Sequence, residues 1–271
     1  MLDALLILIF IGAIIFGIYL LLIYPVRNDR INGFISNRFA HRGLHSKGVP
    51  ENSMAAFKAA VDRGFGIELD VRLSKDGVLV VFHDDDLERV VGCRGTVLDF
   101  TADELAKMSL MGTDEGIPRF SDVLNMIDGR VPLLVEIKEM PNDSSVSVAA
   151  ANMLKEYKGP YIIESFNPLS LMRVAKILPK VPRGILSQRY LNYPQYRAPL
   201  YFVLQALLLN RLCKPTFVAY HHKHASSISL KLARLLGATT YAWTVRSPEE
   251  ESVAFANGFD SVIFEGYIPN K

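Results

Sequence analysis

Hydrophobic and polar positions divide this chain into one long charge-free block followed by many short alternations. Residues 4–24 read ALLILIFIGAIIFGIYLLLIY, without a single charge. As a helix rising about 1.5 Å per residue, the block measures roughly 31 Å, the hydrocarbon thickness of a bilayer. It predicts an uncleaved membrane anchor over residues 1–26, with residues 27–37 as a linker. The rival reading is a secretory signal, whose apolar region runs about 7–15 residues behind a basic start. Here Met1-Leu2-Asp3 carries neither Lys nor Arg, and no small-x-small cleavage pattern follows.

From residue 38 to 271 the pattern alternates between β-like runs and helical periodicity. The β-like runs are 39–41, 66–72, 133–138, 161–166, 183–187, 217–220, 240–245 and 261–264; helical stretches cover 53–63, 121–127, 146–157, 168–178, 227–236 and 248–257. Strands alternating with helices predict a parallel sheet. Eight such runs in a stretch of this length match an α/β fold of the (β/α)8 TIM-barrel type. A doubly wound open sheet is the competing arrangement, but the chain has no G-x-G-x-x-G or P-loop stretch to serve one. Two segments break the rhythm. Residues 74–118, with a Lys75-Asp76-Gly77 turn and a second hairpin arm at 78–83, read as an insertion after strand two. Residues 190–215 contain an apolar run at 199–209, too short to span a bilayer, which predicts either a buried helix or an interfacial one.

Composition adds exclusions. Of 271 residues, 50% are hydrophobic and 21% charged, with net charge +2, which excludes a disordered chain. So balanced a charge gives no electrostatic reason to expect nucleic acid as a partner. Cys93 and Cys213 make no disulfide framework. Charge matters more at the anchor: Asp3 precedes the block, whereas Arg27, Arg30, Arg38, Arg42 and Lys47 follow it. By the positive-inside rule the domain after the anchor lies in the cytoplasm. The oligomeric state is left open.

In a barrel, functional side chains gather at the C-terminal ends of the strands. Those positions hold His41-Arg42-Gly43, Glu68-Leu69-Asp70, Glu136-Ile137-Lys138 and Trp243, and the insertion's hairpin ends in His83-Asp84-Asp85. Glu68 and Asp70, two residues apart on a strand, share a face. With Glu136 on the next strand they offer three carboxylates, which suit a hard divalent ion, Mg2+ or Ca2+; a solvated strand face is the plain alternative for Glu68 and Asp70 alone. His41 and His83 are the candidates for proton transfer. Arg42 and Lys138 are either structural ion-pair partners or a clamp for an anionic phosphate. The triplet His221, His222 and His224 reads as a solvated loop, with an added metal or rim contact as its rival.

His41-Arg42-Gly43, Pro50-Glu51-Asn52-Ser53, Glu68 through Gly77, Val80 through Asp84, Glu136-Ile137-Lys138 and Trp243-Thr244-Val245 together resemble the glycerophosphodiester phosphodiesterase family, from about residue 38 to 265. The resemblance implies a barrel like that of phosphatidylinositol phospholipase C, with a small insertion after strand two. It implies metal ligands at Glu68, Asp70 and Glu136, acid–base histidines at His41 and His83, and phosphate contacts from Arg42 and Lys138. Glu51 would be a further active-site carboxylate, with Phe166 and Trp243 walling the substrate site. Asn52 has a plainer reading as the N-cap of the first helix. Where the family closes its last strand with Thr-Asp before a proline, this chain has Phe264-Glu265-Gly266. The expected function is metal-dependent hydrolysis of glycerophosphodiesters to sn-glycerol 3-phosphate and an alcohol. The alternatives are lysophospholipase D action on membrane lysolipids and, from another class, a catalytically dead, membrane-tethered binding barrel.

Overall fold

The computed structural model describes residues 1–140 and 143–270. Three residues of the expected 38–271 domain, Pro141, Asn142 and Lys271, lie outside the described residues. Among the described residues nine strands form: β1 (Phe39–Ala40), β2 (Gly66–Leu73), β3 (Leu79–Val81), β4 (Leu133–Ile137), β5 (Tyr161–Ser165), β6 (Arg183–Ser187), β7 (Phe217–His221), β8 (Thr239–Val245) and β9 (Ser261–Phe264). β1 pairs in parallel with both β2 and β9, so the eight parallel strands close into a barrel. β3 is antiparallel and lies on the C-terminal end of β2. Every expected parallel strand and each of the six main helices appears within one residue of its expected bounds.

The strand pattern explains why the barrel closes. On β2, Ile67, Leu69 and Val71 turn outward to the surrounding helices, while Glu68 and Asp70 turn inward. Inside, Phe39, Leu134, Ile162, Phe217, Tyr241 and Ile263 fill the lower barrel, and Ile31 and Phe34 join them from below. The 27–37 segment is therefore structured: two short helical turns, Asp29–Ile31 and Asn32–Ile35, stopper the barrel floor. With its base sealed by apolar side chains, the interior can be polar only at the C-terminal mouth.

The insertion is more ordered than a bare hairpin. Beyond β3 it carries Glu88–Val91, Val97–Asp99 and Ala102–Leu105, packed on their own small core of Val80, Phe82, Leu87, Val90 and Leu105. In the 190–215 stretch the helix Pro199–Gln205 buries no residue, with Leu200 and Phe202 56% and 54% exposed. This overturns a buried helix there; the segment is superficial and is pinned at its end by buried Leu207.

The apolar helix Leu2–Ile23 has Ile23 as its one buried residue. Its end is tied firmly to the barrel. Asn210 Nδ2 donates to the Ile23 carbonyl at 3.2 Å, and the Val26 amide donates to the Pro215 carbonyl at 2.8 Å.

Candidate active site

The barrel mouth is built from strand ends in register. Asp70 pairs with Glu136 across β2 and β4, and Glu136 with Glu164 across β4 and β5. Three successive strands thus carry a carboxylate to one level. Glu68, Asp70, Glu136 and Glu164 are all buried. Arg42 follows β1 in a left-handed conformation that turns its amide onto Glu68 Oε2 at 2.9 Å. Gly43 must follow it, because its φ is +80° and a Cβ there would stand 2.9 Å from the Ala56 backbone.

Cations interleave with the acids. Lys138 Nζ lies 2.6 Å from Glu136 Oε1 and 3.3 Å from Asp70 Oδ1, while Arg42 Nε is 3.6 Å from Asp70 Oδ2. Burial would raise the Asp70 pKa, but Lys138, His83, Arg42 and a 2.9 Å bond from Asn52 Nδ2 outweigh it and hold it far below normal. Burial, then repulsion from Asp70, Glu136 and Glu164, drives Glu68 well above its usual range. Burial also lifts Glu136 to about 7, against the pull of Lys138. Glu164, which sequence reasoning missed, is likewise raised by burial and by Glu136. Its signal was present in the ESF end of β5, one acid inside an apolar run.

Four carboxylates face only two fixed cations at this level, an excess that a divalent ion would balance. Glu68, Asp70 and Glu136 offer oxygens within 4.8 Å of one another. Asp70 Oδ1 and Glu136 Oε1 are buried without a well-aligned hydrogen bond, despite Lys138 nearby. Hard, anionic, unsatisfied oxygens at that spacing fit Mg2+ or Ca2+.

Both histidines are oriented by carboxylates. His41 Nδ1 is 2.6 Å from Glu265 Oε2, and His83 Nδ1 is 2.7 Å from Asp84 Oδ1. Glu265, at the point where the chain departs from the family's ending, is a site residue that the sequence alone left without a role. Burial holds His41 down at about 4 against the raising effect of Glu265, and burial lowers His83 as well. With Nδ1 committed, Nε2 is the ring atom each histidine has for chemistry.

A cleft of about 470 Å³ joins these groups: His41, Arg42, Glu68, His83, Glu136 and Lys138 line it, and Phe166 and Trp243 wall it with rings 5.5 Å apart, edge to face. Asp70 sits beneath this surface, behind Arg42 and Lys138. Glu51 is not on the cleft surface either. It lies behind Arg42, bonded to Arg42 Nη1 at 2.6 Å, and Arg89 bridges it to Asp84 with contacts of 2.7 and 2.6 Å. Asn52 is not the helix N-cap; Ser53 is, accepting from the Ala56 amide, and Asn52 serves Asp70 instead. The solvated loop expected for the histidine triplet is also overturned. His222 and His224 are buried, His224 Nδ1 accepts from the Arg189 amide at 3.2 Å, and His221 stands against Trp243 in the cleft wall. Among the described residues the one acidic or histidine cluster spaced for a metal is Glu68, Asp70 and Glu136.

A barrel whose mouth gathers an acidic cluster able to hold a metal ion, two imidazoles braced by carboxylates and two cations is a hydrolase of the phosphoric-diester class. The model of the glycerophosphoryl diester phosphodiesterase family matches residues 41–266. A glycerophosphodiester phosphodiesterase of Caldanaerobacter subterraneus subsp. tengcongensis is 33% identical over 252 residues, covering 83% of this chain and 91% of that one. Among solved structures, the glycerophosphodiester phosphodiesterase of Thermotoga maritima has a TM-score of 0.64 at 28% identity, covering 83% of this chain and 92% of that one. An Oleispira antarctica phosphodiesterase, solved with the product sn-glycerol-3-phosphate, has a TM-score of 0.71 at 24% identity, covering 86% and 94%. The chain belongs to the glycerophosphodiester phosphodiesterase family.

Proposed function

We propose that this protein hydrolyses glycerophosphodiesters to sn-glycerol 3-phosphate and an alcohol, with one divalent ion, Mg2+ or Ca2+, held by Glu68, Asp70 and Glu136. The observation that carries this reading is the convergence of His41, His83, Glu68 and Glu136 on one cleft, with Asp70 beneath its surface and within reach of the same ion. Once bound, the ion would supply Lewis-acid stabilisation of phosphate charge. Arg42 and Lys138 hold the anionic phosphate. Of the two histidines, one removes through Nε2 the proton of the attacking oxygen, either water directly or the substrate's own 2-hydroxyl with water then opening the cyclic ester; the other donates a proton to the departing alcohol oxygen. Phe166 and Trp243 flank the glycerol and alcohol moieties and exclude water from them. Glu51 acts through Arg42, fixing its guanidinium.

The location is proposed on charge and shape. Residues 1–26 form a single-pass anchor, and the basic flank puts the 38–271 catalytic domain on the cytoplasmic side. A second substrate class, lysophospholipids cleaved in lysophospholipase D fashion, is favoured by one observation. Tyr193 and Tyr196 line the cleft, and the same loop carries exposed Leu200 as well as exposed Phe202, which stands beside the apolar helix.

The test is turnover of glycerophosphocholine with Mg2+ or Ca2+ added back to chelated protein. His41→Ala and His83→Ala should each lose about 10²–10⁴ in kcat. Full turnover by the chelated protein would remove the metal from the reading, and near-normal kcat in either variant would return that histidine to a structural role.

A further inference from the structure

The apolar helix and the active-site mouth lie at the same end of the molecule. The lower end of the helix is fixed at the barrel floor: Val26 bonds Pro215, just before β7, and Asn28 Nδ2 donates to the Lys180 carbonyl, just before β6. Higher up, Ile15, Ile18 and Tyr19 share a groove with Arg189, Phe202, Ser227 and Ile228, which follow the C-terminal ends of β6 and β7. Traced backwards from Ile23, the helix therefore climbs the barrel wall from floor to mouth. Residues 2–14 continue past the mouth for about 20 Å. All of residues 1–18 are exposed.

That direction constrains how the protein can sit on a bilayer. Hydrocarbon about 30 Å thick needs roughly 20 apolar residues, more than the 13 or so that clear the barrel. To cover the rest, the mouth at the β6–β7 side must reach the headgroup layer. The residues at that edge suit it. Leu200, Phe202 and Ile228 are 56%, 54% and 72% exposed, and Phe202 and Ile228 share a groove with the helix's apolar surface. In the same stretch Tyr193, Tyr196 and Tyr201 pack edge to face or tilted around buried Tyr190, and Arg197 is exposed. Aromatic and basic side chains around an apolar tip are the composition of a membrane-interface contact. A short chain of contacts joins this edge to the chemistry: Arg189 bonds His224, whose ring is 4.7 Å from His221, itself 5.1 Å from Trp243.

We infer that the β6–β7 loop seats the cleft on the bilayer, so that the active site opens onto the headgroup layer and takes phosphodiesters carried by membrane lysolipids. The inference rests on the phosphodiesterase reading above and on the helix being membrane-spanning. A barrel hung from a floor-side tether would instead face its mouth away from the lipid.

Depth-dependent quenching tests the orientation without relying on activity. The full-length protein, in a Cys93→Ser background, is reconstituted in phosphatidylcholine–phosphatidylglycerol vesicles carrying nitroxide lipids labelled near the headgroup. Cys213 is buried, its thiol pushed up to about 12, and escapes labelling. An environment-sensitive fluorophore is placed through Phe202→Cys, Ile228→Cys, or the floor-side controls Lys155→Cys and Lys180→Cys. Positions 202 and 228 should lose fluorescence to the nitroxide, and 155 and 180 should not. Equal quenching at all four, none at 202 and 228, or quenching confined to the controls would overturn the orientation. In the same vesicles, Phe202→Glu with Ile228→Glu should cut lysophosphatidylcholine turnover about tenfold or more while soluble glycerophosphocholine turnover is unchanged. Loss of both activities would mean that these residues belong to the fold, and no effect on either would overturn the lysolipid assignment. Wild-type protein quenched as expected but inert on both substrates would sink the phosphodiesterase reading and leave the orientation standing.

Discussion

His41 and Glu265, 224 positions apart in the chain, meet at 2.6 Å between Nδ1 and Oε2 where the first and last barrel strands close on each other. The carboxylate fixes the imidazole's tautomer and leaves Nε2 free to accept a proton. Glu265→Gln keeps the side chain's size but also offers an amide donor, which permits the wrong tautomer. The expected result is a fall in kcat of about 10²-fold or more with little change in KM. A variant with wild-type kcat would reduce the contact to a closure strut.

Metal affinity should depend on pH with a defined sign. Glu136 holds its proton up to about 7 in the metal-free fold, mainly through burial, and must release it to ligate. Affinity should therefore weaken by up to about tenfold per unit as pH falls below 7, and more steeply where Glu68, raised by burial and by its acidic neighbours, must release a proton too. Calorimetric titration at pH 8 and pH 6, in buffers of differing ionisation heat, reads both the affinity and the proton released. A pH-independent affinity would show that Glu136 is already ionised before the ion arrives.

Glu164 faces Glu136 across the ladder and has a buried oxygen without a hydrogen bond. Glu164→Gln removes one source of repulsion, so the chelated protein should gain a few degrees in Tm. The stabilisation conferred by added Mg2+ or Ca2+ should shrink, because less charge remains to neutralise. Thermal melts with and without ion check both halves, and a lowered Tm in the chelated variant would contradict the account.

Truncation should discriminate sharply between two cut points. Removing residues 1–14 takes away only exposed helix and should leave a folded, active barrel. Removing residues 1–30 also takes Ile23, which is fully buried, together with the Val26 and Asn28 bonds at the floor. The loss of Ile23 alone is worth about 2–4 kcal/mol, so the shorter protein should melt markedly lower. Equal melting temperatures would mean that the helix end contributes nothing to the barrel.

The barrel was legible because its strands and helices each obey a local period, and the eight βα alternations leave few topologies. The acidic cluster was legible too, since Glu68 and Asp70 share a strand face and Glu136 is the sole acid in its apolar run. What escaped the sequence was contact made by closure. Nothing local links Glu265 to His41, or Arg189 to His224. Asn52 reads as a cap because its neighbours favour one; a left-handed backbone at φ 54° instead turns its amide toward Asp70. The 27–37 segment looked like a linker because two buried residues, Ile31 and Phe34, make too short a pattern to show a period.

Arg89 gives the insertion a meaning beyond decoration. It stands on the short helix Glu88–Val91, yet it is the side chain through which Glu51 and Asp84 are tied together, and with them Arg42 and His83. The excursion at 74–118 is thus a keystone rather than a detachable module. A chimera receiving this segment from a relative would keep Arg42 and His83 aligned only if the graft brought an arginine to the same place, and such grafts should lose that alignment before they unfold.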